Sequence, residues 1–86
     1  MRTDSPYQFA DMGARLKRLR ESQKVSQKVW SEMHGFNATQ YNNWERGERR
    51  IPVEHAERLS DAYGLTLDFI YRGRLDGLSE YARRAI

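Results

Sequence analysis

The sequence predicts a small all-α domain of five short helices, followed by a tail able to form one or two further helical turns. Three observations lead there. Apolar residues recur at spacings of three and four, and nowhere alternate over the length of a strand. Capping-type residues stand at the starts of these periodic segments and glycines at their ends. The length, 86 residues, suits one domain with a single modest core.

Each element has its own signal. Ser5-Pro6-Tyr7-Gln8 reads as a helix start, with Ser5 as cap, Pro6 at the first helical position and Gln8 reaching back as a capping box. Phe9, Met12, Leu16 and Leu19 then form an apolar stripe, and the helix should end near Ser22 to Lys24. Gly13 inside it costs about 1 kcal/mol relative to Ala, which predicts another helix passing close by. Ser26 caps the second helix, in which Val29, Trp30 and Met33 are expected to be buried while Lys28 and Glu32 face water. Gly35 ends it. Asn37 caps the third helix, about Ala38 to Glu45, which Gly47 ends. Its aromatics Tyr41 and Trp44, three apart, are expected to be core anchors.

Glu48-Arg49-Arg50-Ile51 forms a charged connection, and Pro52 marks the next helix start. In the fourth helix Val53, Ala56, Leu59, Ala62 and Tyr63 are expected inward, with Gly64 as the stop. Thr66 caps a fifth helix, Leu67 to Arg72, with Asp68 near its positive end and Leu67, Phe69 and Ile70 on its apolar side. Gly73 closes it. In the tail Leu78, Tyr81, Ala82 and Ala85 have helical spacing behind Ser79. A segment that short is marginal in water and must pack on its own core or on another subunit.

Composition narrows the function. Without cysteines there are neither disulfides nor thiolate metal sites. No apolar run approaches the roughly 18 residues of a membrane span, and the N-terminus lacks a hydrophobic signal core, so a cytoplasmic protein with no membrane partner is expected. Phosphate-loop and zinc-protease motifs are missing, and His34 and His55 fall in different helices as surface or boundary residues. Neither an enzyme nor a cofactor or metal is expected. The formal charge is +3. Residues 1–50 hold ten Lys/Arg against six acids, residues 51–86 five against six, so the basic excess lies in the first half.

That half contains the stretch 26–47, two capped helices hinged at Gly35. Such a pair is the helix-turn-helix signature, whose second helix enters a DNA groove. At about 100° per residue, inward Tyr41 and Trp44 leave Thr39, Asn43 and Arg46 pointing out, with Asn42 beside them and Ala38 and Gln40 on the flanks. Amides and a hydroxyl, with no carboxylate, suit base edges and close approach to phosphates.

The chain resembles the phage repressor and Cro type of helix-turn-helix regulator. The resemblance rests on Leu16-Lys17-Arg18-Leu19-Arg20, Ser26-Gln27, Gly35, Asn37, Trp44-Glu45-Arg46-Gly47, Pro52 and Tyr63-Gly64-Leu65-Thr66-Leu67-Asp68, and covers about residues 9–73. It implies a compact five-helix, lambda-repressor-like fold: a DNA-binding domain over 1–73 and a C-terminal tail over 74–86 for dimerisation or packing. It further implies base reading by Ala38, Thr39, Gln40 and Asn43, and phosphate contacts by Gln27, Asn37, Asn42, Arg46, Arg49 and Arg50. Arg20 and Glu45 match a pair that braces the first helix against the third; the alternative is two exposed charges worth about 0–1 kcal/mol. Ser31 stands where relatives carry Ala, which adds a hydroxyl in need of a partner, and Trp30 and Tyr41 are bulkier than the usual aliphatics. Ala38 replaces a long polar reader and suits a thymine methyl. The implied function is a small transcriptional regulator, a homodimer on a double-stranded palindromic operator. The competing role is an antitoxin-like or adaptor module that takes a protein partner, a toxin or another regulator, through its tail.

Overall fold

The computed structural model describes residues 7–86; Ser5 and Pro6, the expected helix start, lie outside them. Six helices follow in order: α1 (Ala10–Ser22), α2 (Gln27–His34), α3 (Ala38–Arg46), α4 (Val53–Tyr63), α5 (Leu67–Arg72) and α6 (Glu80–Ala85). No strand occurs among the described residues, and no helix among them is long and apolar enough to cross a membrane.

α1 begins later than its local sequence suggests. Phe9 is its N-cap and supplies no side-chain cap bond, so Gln8 stands before the helix and not in a capping box. The cause is tertiary. The Phe9 N–H donates to the Gly47 carbonyl at 3.0 Å, tying the chain ahead of α1 to the end of α3. Four other starts are capped by side chains: Ser26 accepts from the Val29 N–H at 3.2 Å, Asn37 from Gln40 at 3.0 Å, Thr66 from Phe69 at 3.0 Å and Ser79 from Ala82 at 3.1 Å. Such caps are each worth about 1 kcal/mol.

The core gathers Met12, Leu16 and Leu19 of α1 with Trp30, Tyr41, Trp44, Ala56, Leu59, Phe69 and Ile70. Residues between helices complete it. Phe36, in the turn after α2, stacks on Tyr41 with ring centres 5.6 Å apart and meets Trp44 edge-on at 5.4 Å. Ile51 and Leu65 are likewise buried in connections. His34 and His55 flank the Phe36 ring at 5.7 and 5.3 Å, and His34 Nε2 hydrogen-bonds the Tyr63 hydroxyl at 2.8 Å. No group of three or more His, Cys, Asp or Glu able to hold a metal occurs among the described residues.

Four expected core positions are exposed instead. Val29 and Met33 lie 43% and 56% open to solvent. α2 turns its inner side between Trp30 and Ser31, with His34 below them, and at about 100° per residue that sends 29 and 33 outward. Val53 and Ala62 are exposed on the flanks of α4, whose inner line runs through Ala56 and Leu59. Ser31 is buried, and its hydroxyl meets no hydrogen-bond partner among the described residues.

α6 packs on the same chain. Leu78 and Ala82 enter the core, and the Ser79 N–H donates to the Gly64 carbonyl at 2.9 Å. The Gln23 amide donates to the Tyr81 hydroxyl at 2.9 Å, fastening α6 to the end of α1. Tyr81 and Leu75 themselves stay exposed, at 54% and 61%.

Candidate nucleic-acid interface

α3 is a short helix with one anchored side. Tyr41, Trp44 and Glu45 are buried. Thr39, Gln40 and Ala38 are exposed at its N-terminal half, Asn42 and Asn43 are half-buried along its length, and Arg46 is exposed at its end. Asn37 is exposed, and its side chain is committed to the Gln40 N–H as cap. The outward set therefore presents a methyl, a hydroxyl and the Gln40 amide near the positive end of the helix dipole, then the amides of Asn42 and Asn43 and the Arg46 guanidinium further along.

The single carboxylate within α3 points inward. Arg20 Nε lies 2.7 Å from Glu45 Oε2, and Arg20 Nη2 donates to Oε1 at 3.2 Å, a two-pronged pair. Their side chains are only 11% and 3% exposed. Arg20 Nη1 also donates to the Val25 carbonyl at 2.8 Å, and Gln27 Nε2 donates to Glu45 Oε1 at 2.9 Å. One carboxylate thus joins α1, the turn before α2, the first residue of α2 and α3. Burial pushes the Glu45 carboxyl up, but the hydrogen bonds from Arg20, Tyr41 and Gln27 outweigh it and hold the group below its usual range. Burial, then the neighbouring Glu45, raises the Tyr41 phenol, so it stays protonated. Gln27 Nε2 retains a second N–H beyond the one given to Glu45.

After α3 the chain turns at Gly47 (φ 83) and folds back. The Glu48 and Arg49 N–H groups donate to the Asn43 carbonyl at 3.0 and 3.4 Å. This creates a cleft of about 420 Å3 lined by Gln40, Asn43, Trp44, Arg49, Arg50 and Pro52. The Arg50 guanidinium sits 4.5 Å from the Tyr71 ring centre, a cation–π contact, and the Tyr71 hydroxyl donates to the Ile51 carbonyl at 2.6 Å. Two cations and two amides are thereby brought together, with no carboxylate on the lining among the described residues.

Not all the expected residues share this cleft. Gln27 belongs to the Glu45 brace, and Ala38 and Thr39 stand further along the outer face. Arg46 lies apart, 3.0 Å from the Tyr7 hydroxyl and 2.7 Å from Glu48. Sequence reasoning passed over Tyr7, Glu48 and Tyr71. Glu48 carried a signal, an acid two residues after the last cation of α3. Tyr7 and Tyr71 carried none, because each meets its arginine only through the fold.

Against known protein families, residues 16–70 match a model described as helix-turn-helix. No curated protein and no solved structure matches the chain.

Proposed function

The chain belongs to the phage repressor and Cro type helix-turn-helix family of DNA-binding regulators, and from that premise we propose a sequence-specific repressor that binds a palindromic operator as a dimer in the cytoplasm. One observation carries the reading. The face of α3 opposite Tyr41 and Trp44 holds Thr39, Gln40 and Asn43 free of carboxylate, next to a cleft bearing Arg49 and Arg50.

In the proposed complex α3 lies in the major groove. Gln40 and Asn43 have the donor–acceptor pairing that fits the N6/N7 edge of adenine, Thr39 serves a base edge, and Ala38 meets a thymine methyl. Phosphates are taken by Arg49 and Arg50 at the cleft, by Arg46 at the end of α3, and by the remaining N–H of Gln27. Asn37 and Asn42 add polar contacts at the two sides of the helix. Two copies would set half-sites about 34 Å apart, one turn of DNA. The proposed division of labour keeps residues 1–73 for DNA and 74–86 for assembly, where Leu75 and Tyr81 are exposed.

A second reading uses that same surface. Leu75, Leu78, Phe69 and Ile86 line a cleft of about 270 Å3 with Arg18 and Arg83 at its edge, which favours a protein partner such as a toxin or another regulator.

Substitution on α3 tests the first reading. Thr39→Ala and Asn43→Ala are each expected to weaken binding to a preferred duplex by about 1–3 kcal/mol, leaving the melting temperature unchanged. Gln27→Ala should weaken preferred and unrelated duplexes alike. Unchanged affinity of Asn43→Ala, measured by fluorescence anisotropy, would remove α3 from the interface.

A further inference from the structure

The cation at the end of α3 is already engaged before any DNA arrives. Arg46 Nη2 is 2.7 Å from Glu48 Oε2 and donates to the Tyr7 hydroxyl at 3.0 Å, with its guanidinium carbon 5.6 Å from the Tyr7 ring centre. Residues two apart on a helix point in different directions. Here the left-handed turn at Gly47 ends α3 between them and swings residue 48 back alongside 46. Tyr7 is delivered by a separate tether, the bond from the Phe9 N–H to the Gly47 carbonyl. Arg49 and Arg50 differ: among the described residues no acid lines their cleft, and Arg50 rests on an aromatic ring.

We propose that Glu48 is an affinity-setting residue that competes with DNA phosphate for Arg46. The inference rests on the DNA-binding reading above. Arg46 Nη2 lies 2.7 Å from a carboxylate oxygen, so a phosphate approaching that side of the guanidinium meets a charge of its own sign already in place. A phosphate that takes Arg46 must displace Glu48 or share with it, and a displaced Glu48 stays beside the duplex as a negative charge. The pair is half-exposed, at 48% and 35%, so it yields in solution and acts as a handicap on binding. The sequence-independent part of the affinity is thereby trimmed, and the chain depends more on base contacts.

The test is a double-mutant cycle on a fluorescein-labelled duplex of arbitrary sequence, read by anisotropy over a series of salt concentrations. The proteins are wild type, Glu48→Gln, Arg46→Ala and the double variant, with thermal melts to show that all four fold. Glu48→Gln is expected to tighten binding about three- to fivefold, the scale of one exposed ion pair. It should also steepen the log–log salt slope by up to about 0.9, one more phosphate neutralised. In the Arg46→Ala background the same change should have almost no effect. Equal tightening in both backgrounds would overturn the proposal, since Glu48 would then act by general repulsion. So would a silent Glu48→Gln in a chain that binds duplex well. A wild type that bound no duplex at all would overturn the DNA reading, and this inference with it.

Discussion

Arg20→Ala is expected to lower the stability of the domain by about 3 kcal/mol, the lower end of what breaking a buried ion pair costs. The melting temperature should fall by roughly 12 °C or more at this chain length. The cost arises less from the lost attraction than from what remains. Glu45 is 3% exposed and would keep only the neutral Gln27 amide and Tyr41 hydroxyl as partners among the described residues, while the Val25 carbonyl loses its donor as well. A pH comparison separates this from simple loss of packing. In the wild type the Glu45 carboxyl is held below its usual value of 4.5, so its contribution is fully present above that value and is lost as pH falls through the depressed one. In the variant burial acts with less opposition and the group takes up its proton at higher pH. The gap in melting temperature should therefore narrow between pH 7 and pH 4. Replacing both partners, Arg20→Met with Glu45→Met, should recover much of the stability, because no charge is left buried.

Gly13→Ala should also cost about 3 kcal/mol, against what helix propensity alone predicts. In an open helix the change would gain about 1 kcal/mol. Here an added methyl would stand 2.2 Å from the Glu45 carbonyl oxygen and 2.7 Å from that of Trp44. Both atoms are backbone, so α1 and α3 must separate, and forced repacking of this kind costs typically 1–3 kcal/mol and sometimes more. Denaturant unfolding measures the loss. DNA binding should weaken too, since the shift occurs beneath the proposed recognition surface. A Gly13→Ala chain as stable as the wild type would mean that the two helices do not touch there.

Much of this architecture is legible in the sequence, for a local reason. Ser26, Asn37, Thr66 and Ser79 cap helices by bonds that reach only three residues, so their meaning survives without tertiary knowledge. The outward set on α3 follows similarly from two inward aromatics. Periodicity fails where the core is filled from outside helices: Phe36, Ile51 and Leu65 lie in connections that carry no period. It also fails on α2, where the inner side runs through Trp30 and a small serine and not through Val29 and Met33. Arg20 and Glu45 are 25 positions apart, and only the family resemblance suggested their pairing. Tyr7 and Arg46, separated by 39, have no local signature at all.

The outer face of α3 is proposed to read DNA in a two-fold complex. In-vitro selection from a random duplex pool, run with the wild type and with a Thr39→Ala/Asn43→Ala variant, tests this most directly. The wild type should enrich a palindrome with half-sites about one helical turn apart, and the variant should lose the preference at symmetric positions in both halves. No enriched motif, or the same motif from both proteins, would contradict the account.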